Sequence, residues 1–148
     1  MIRKILVIGT GSLTGSRFME LGQNKFKVYG AGGEMDEGID GLAGFDKLDI
    51  TDSKNVEDVV SRFPGDVVIN FAGATLVDEI EKTRPKNPDN LEELEGNIAY
   101  RVNVLGSRYL ASACKQSGKC PIFISTSFVF DGNNGPYSEE DPIAGSAD

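Results

Sequence analysis

Runs of apolar residues in this chain alternate between two rhythms. Ile2 to Ile8 is apolar, β-branched and barely alternating, the pattern of a strand covered on both faces. A glycine-rich turn follows from Gly9 to Gly15, then a helix over Ser16–Leu21 that Gly22 can close. Phe26 to Tyr29 reads as a second strand, Gly30 to Gly44 as a loop and Lys47 to Asp49 as a short third strand. Thr51 or Asp52 caps a helix running to Arg62, whose Val56, Val59 and Val60, with Phe63, share one face before Pro64-Gly65 breaks it. Asp66 to Phe71 is a fourth buried strand.

The next stretch, Asp78 to Glu95, is charged and holds Pro85 and Pro88, which predicts an exposed loop or a broken helix. A long helix then runs from Leu91 or Gly96 to Gln116, with Ile98, Val102, Leu105, Tyr109 and Leu110 as its apolar stripe and Gly118 past its end. Ile122 to Ile124 is the fifth strand, and Val129 to Gly132 predicts a short strand and an Asp-Gly turn. Strand–helix–strand alternation with crossovers of this length predicts one α/β domain over residues 1–148, a Rossmann-like doubly wound parallel sheet with helices on both faces.

Composition narrows the chemistry. The net charge of −8 disfavours a phosphate-backbone partner, so nucleic acid is not expected. The first apolar run is too short for a signal peptide or a membrane span, which makes the cytoplasm the expected compartment and excludes a membrane partner. Cys114 and Cys120 read as reduced, half-buried thiols. With no histidine in its 148 residues, the chain has no Ser-His-Asp or Cys-His centre and no His-containing metal site, and none of another kind is expected.

The turn Gly9-Thr10-Gly11-Ser12-Leu13-Thr14-Gly15 lies between the first strand and the first helix. Glycine there lets the backbone turn sharply and a pyrophosphate approach closely, while the helix start offers unpaired N–H groups to the anion. Gly9, Gly11, Ser12, Leu13 and Gly15 are therefore candidate cofactor residues, with Ser12 offering its hydroxyl and backbone in place of a middle glycine. The residues after Tyr29 are Gly30-Ala31-Gly32-Gly33, with neither the acid that takes a ribose diol nor the arginine that takes a 2′-phosphate. Glu34 and Asp36 follow in the loop, and Arg3 and Arg17 read as surface residues, so the choice between NAD and NADP stays open on the residues.

Four further stretches carry a resemblance. Leu48-Asp49-Ile50-Thr51-Asp52, Asn70-Phe71-Ala72-Gly73-Ala74-Thr75, Val102-Asn103 with Gly106, and Ser125-Thr126-Ser127-Phe128-Val129-Phe130-Asp131-Gly132 followed by Gly135-Pro136-Tyr137 stand in this order. The chain resembles the extended short-chain dehydrogenase/reductases, especially the dTDP-4-dehydrorhamnose reductase group. The resemblance implies NAD(P), with NADPH favoured. Asp49 and Ile50 would bracket the adenine. Phe71, Ala72, Gly73 and Ala74 would let the fourth-strand turn pass close to the cofactor. Asn103 would stand behind the nicotinamide half, Ser125 would be a further cofactor residue, and the Thr126 hydroxyl would hydrogen-bond the carbonyl of a nucleotide-sugar substrate. Ser127 and Phe128 stand where the family often has aspartate and tyrosine. The Lys82 to Glu95 segment is longer than the family's and reads as surface decoration or a subunit contact, with a homodimer as the expected assembly.

The family's proton donor is a tyrosine with a lysine four residues later. Tyr29, Tyr100, Tyr109 and Tyr137 are followed at that spacing by Gly33, Val104, Ala113 and Asp141, so none qualifies. The expectation is an amino-terminal cofactor domain of a longer reductase, inactive alone. Two alternatives are a nucleotide-sugar epimerase or dehydratase, and a non-catalytic dinucleotide-binding module resembling the regulatory subunit of methionine adenosyltransferase.

Overall fold

The computed structural model describes residues 3–22, 24–33, 41–87 and 89–143. Glu34 and Asp36 lie outside the described residues. Five strands, β1 (Arg3–Ile8), β2 (Phe26–Gly32), β3 (Gly44–Lys47), β4 (Val67–Asn70) and β5 (Cys120–Phe123), form one parallel sheet in the order β3-β2-β1-β4-β5. The helices are α1 (Leu13–Gly22), α2 (Ser53–Arg62), α3 (Val77–Lys82), α4 (Leu91–Gly96) and α5 (Ser107–Gln116).

The unbroken apolar run of β1 is explained by burial on both sides, its side chains alternating between two cores. Leu6 and Ile8 face α2 and α5, joining Val56, Val59, Val60 and Leu110. Ile5 and Val7 face α1, joining Met19, Val28 and Ile69. The order reverses between β1 and β4, which puts a crevice beyond their carboxyl ends. The predicted doubly wound α/β sheet is the observed one. Among the described residues, no helix is long and apolar enough to cross a membrane.

Several boundaries differ from the sequence reading, each for a local reason. β2 continues through Gly30, Ala31 and Gly32 because those residues pair with β1 or β3, and a Cβ at Gly30 would come within 3.0 Å of the Phe45 and Thr10 side chains. β3 is Gly44–Lys47 rather than Lys47–Asp49: Lys47 pairs with Gly32, after which Asp49 turns the chain by accepting hydrogen bonds from the Thr51 N–H and hydroxyl. Asp52 caps α2 by accepting from the Lys54 and Asn55 N–H groups.

Of the two starts expected for the long final helix, the one near Gly96 fits: the chain breaks at Asn97 and is then helical without interruption over residues 98–116. Asn97 is buried, with extended backbone, and its amide donates to the carbonyls of Ile80 and Thr83, tying α4 to the end of α3. Its Oδ1 accepts from the Tyr100 N–H and so starts the next helical segment. That segment begins as a π-helical stretch, Tyr100–Gly106, before becoming α5. Gly118 ends α5 with φ of +65°, and the Lys119 N–H bonds back to the Cys114 carbonyl, closing the cap as the glycine position suggests.

Beyond β5 the predicted short strand at Val129 is absent. Ser127–Val129 form a 3-10 turn instead. The Phe130 ring stacks on Tyr137 at 4.6 Å, and Asp131 accepts from the Tyr137 hydroxyl and the Asn133 N–H, so local bonds replace strand pairing.

Candidate functional site

The site is built where two turns touch at the carboxyl edge of the sheet. Gly9 ends β1 with φ of +80°, and a Cβ there would stand 2.5 Å from the Ala72 nitrogen. Only glycine lets the β1 turn seat against the β4 turn. A Cβ on Gly15 would stand 2.3 Å from the Gly9 carbonyl oxygen, so α1 begins directly beneath the turn.

Ser12 closes this loop from inside. Its hydroxyl donates to the Gly9 carbonyl at 2.8 Å and accepts from the Gly15 N–H at 3.1 Å, and its own N–H also donates to Gly9. The hydroxyl expected to face a phosphate is thereby committed to the turn. The donors left for an anion are the N–H groups of Leu13 and Thr14 in the first turn of α1, which carries no acidic residue there.

A cavity of about 510 Å³ opens beside the turn, within the size range of small-molecule sites. Gly9 and Ser12 form one wall and Phe71, Ala72 and Gly73 another, while Gly32, Gly33, Lys47, Asp49 and Ile50 close the far end. Thr10 is fully buried beneath the turn, and its hydroxyl has no hydrogen-bond partner among the described residues. Turns too tight for any Cβ suit a backbone cradle for a phosphorylated ligand.

The far end is held electrostatically. The hydrogen bonds from Thr51 hold the Asp49 carboxyl below its ordinary value of 3.8, with the Arg101 charge adding to the effect. The Asp49 N–H donates to Asn55 Oδ1 at 2.8 Å, which fixes this corner on α2. At the other wall, the buried Asn70 side chain accepts from the Ala72 N–H at 3.0 Å. Asn103, in the π-helical stretch, accepts from the Ala74 N–H and donates to the Ala74 carbonyl.

Of the residues singled out in the sequence, Gly9, Ser12, Asp49, Ile50, Phe71, Ala72 and Gly73 line this one cavity. Gly11, Leu13 and Gly15 belong to the adjoining turn, and Ala74 and Asn103 are joined next to it. Ser125 and Thr126 are exposed and are not among its lining residues. They follow β5, whose Phe123 pairs with Asn70, so Thr126 and Gly73 each lie three residues past a paired position on the same edge of the sheet. Sequence reasoning missed Ile8, Gly32, Gly33, Lys47, Leu48 and Val102 as lining residues, and placing β3 and its pairing with β2 correctly would have pointed to Gly32, Lys47 and Leu48.

A family model described as the RmlD substrate binding domain matches residues 3–145. The chain belongs to that family. A relative, dTDP-4-dehydrorhamnose reductase of Aggregatibacter actinomycetemcomitans, is 34% identical over 128 residues, covering 78% of this chain and 40% of that protein. Methionine adenosyltransferase 2 subunit beta of Bos taurus is 30% identical over 140 residues, covering 94% of this chain and 37% of that protein. The crystal structure of dTDP-4-dehydrorhamnose reductase from Bacillus anthracis in complex with NADP matches with a TM-score of 0.70 at 27% identity, covering 97% of this chain and 44% of that one. This RmlD-family chain therefore spans less than half the length of each of these relatives.

Proposed function

We propose that the cavity binds a nicotinamide adenine dinucleotide and that the chain is the cofactor domain of a longer NAD(P)-dependent reductase of nucleotide sugars. The observation that carries this reading is the contact between the Gly9 and Ala72 turns, which builds a Cβ-free cradle at the sheet's reversal point, with Asp49 and Ile50 at the distance of the same cavity's far end. The bound cofactor would supply a hydride. The chain's own residues do the rest: the N–H groups of Leu13 and Thr14 hold the pyrophosphate, Asp49 and Ile50 meet the adenine, and the Thr126 hydroxyl donates to the substrate carbonyl. Asn103 acts as a positioning residue by fixing the Ala74 turn.

The proton donor in this reading comes from outside these 148 residues, since no tyrosine here has lysine at the required spacing. A cytoplasmic setting goes with it, since the free thiols of Cys114 and Cys120 suit a reducing compartment. The test is NADPH consumption with a dTDP-4-keto sugar. This chain alone is expected to bind NADPH and leave its absorbance unchanged, whereas a form extended beyond Asp148 turns it over. Turnover by the 148-residue chain alone would contradict the assignment of the proton donor.

The second reading, a dinucleotide-binding regulatory module, is favoured by the likeness to methionine adenosyltransferase 2 subunit beta along almost all of this chain. The exposed Leu76 and Leu91 near the ends of α3 and α4 would then face a partner. NADPH binding without oxidation in the extended form would favour this second reading.

A further inference from the structure

Between α3, α4 and the π-helical stretch lies a second groove, about 450 Å³ in volume, that shares no lining residue with the cavity described above. Ile80 lines it from α3, Pro85 from the connection after α3, Leu94 from α4, and Ala99, Tyr100 and Val104 from the helical segment that follows Asn97. Its amide side chains are already spent. Asn97 donates to the Ile80 and Thr83 carbonyls and accepts from the Tyr100 N–H, while Asn103 gives both ends of its amide to Ala74. Arg84 is paired with Glu81 at 3.4 Å. What the groove offers a ligand is therefore chiefly apolar surface, and Val104 stays 43% exposed there.

The walls are set before anything binds. Glu93 accepts from the N–H groups of Lys86 at 2.7 Å and Asn87 at 3.1 Å, which closes the connection between α3 and α4. Asn90 caps α4 by accepting from the Glu92 N–H at 3.0 Å. A groove fixed in this way costs little ordering on association. The charge around it selects the occupant. Glu79 and Glu81 flank Ile80 in sequence, and Glu93 and Glu95 flank Leu94. Residues 77–97 hold seven acidic and three basic side chains. Among the described residues, Glu79, Glu92 and Glu95 make no ion pair. That excess repels the phosphates of a nucleotide and the headgroups of an anionic membrane, and it repels a second copy of a chain whose net charge is −8.

We propose that this groove docks a segment of a partner protein that presents apolar side chains flanked by lysine or arginine, as an amphipathic helix lays its apolar face into a groove. The opposite charges steer the encounter and the apolar contact holds the complex. The groove takes this role whether or not the first cavity holds a dinucleotide.

The test is an amide NMR titration of the isotope-labelled 148-residue chain with a synthetic amphipathic helical peptide of leucine and lysine, repeated with a twin that carries glutamate for lysine. The leucine–lysine peptide is expected to bind one-to-one, with shifts at Ile80, Glu81, Leu94, Tyr100 and Val104 and an affinity that falls as salt rises. Val104→Asn keeps the charge and makes that exposed apolar surface polar, so it should weaken binding about tenfold. Glu79→Gln combined with Glu95→Gln should weaken it several-fold and flatten the salt dependence, whereas Glu57→Gln, on α2 outside the groove, should change neither. Circular dichroism checks that each variant is folded. Equal binding of the glutamate twin, full affinity in Val104→Asn, shifts scattered over the acidic surface, or no binding of either peptide would each overturn the proposal. Self-association of the chain through the same amides would also overturn it, with a second copy as the occupant instead.

Discussion

The side chain of Asn103 pairs with the backbone of Ala74 as one peptide pairs with another, accepting from its N–H at 2.8 Å and donating to its carbonyl at 3.1 Å across 29 residues of sequence. Asn103 stands in the π-helical stretch, and π-helical turns are often found where a helix must aim a functional side chain. The pair clamps the turn after β4, which forms a wall of the cavity, to the helix beside it.

Asn103→Asp is the sharpest test of that clamp, because it keeps the acceptor and replaces the donor with an oxygen facing the Ala74 carbonyl. Both groups are exposed, so the stability cost is modest, about 1 kcal/mol in urea unfolding. Dinucleotide affinity should fall further than stability does, and Asn103→Ala should fall between wild type and Asn103→Asp in both measurements.

Gly9→Ala and Gly15→Ala test the contact of the turns. At Gly15, alanine gains about 1 kcal/mol of helix propensity. That gain is outweighed by a Cβ placed 2.3 Å from the Gly9 carbonyl oxygen, which is backbone and cannot swing aside. At Gly9 the positive φ adds its own strain. Each variant should lose at least about 2 kcal/mol in urea unfolding. Gly33→Ala, whose Cβ would meet nothing within 4 Å among the described residues, should stay within about 0.5 kcal/mol of wild type.

Asp49 should leave a mark on acid stability. Hydrogen bonds from Thr51 hold its folded pKa below the ordinary 3.8, so the folded state favours the carboxylate. The contribution is therefore complete above 3.8 and is lost as pH falls through the folded value. Urea midpoints of wild type and Asp49→Asn should differ by a constant amount above about pH 5, and the difference should close below the ordinary carboxyl value.

The two thiols should react differently. Cys114 lies in the core between α5 and the sheet, and burial pushes its pKa up to about 11. Cys120 is exposed at the start of β5. A disulfide reagent at mildly alkaline pH should titrate one thiol in the native chain, Cys120, and both in denaturant. Loss of that single fast reaction in Cys120→Ser checks the assignment.

The sheet was legible in the sequence because its central strands β1 and β4 are largely buried, and a run such as Ile5 to Ile8 has no competing reading. The glycine turn was legible because its position after a strand carries as much information as its residues. What the sequence hid depends on contacts between distant segments. Gly30 to Gly32 look like loop until β3 pairs with them. The apolar Leu48 and Ile50 imitate strand residues, although they are buried just past the strand's end. The break at Asn97 depends on α3 carbonyls that nothing in the local pattern announces. Ser12 stands where the motif has a glycine and offered a hydroxyl to phosphate, but that hydroxyl is spent on the turn, and only the geometry shows that.

The most direct test of the account is a heteronuclear NMR titration of the isotope-labelled chain with NADPH, following the backbone amides. The account predicts saturable, one-to-one binding, with shifts concentrated at Gly9 to Gly15, at Gly32 and Gly33, at Asp49 and Ile50, and at Phe71 to Ala74. A folded chain whose amide spectrum does not change with NADPH, or whose shifts fall on α3 and α4 instead, would contradict it.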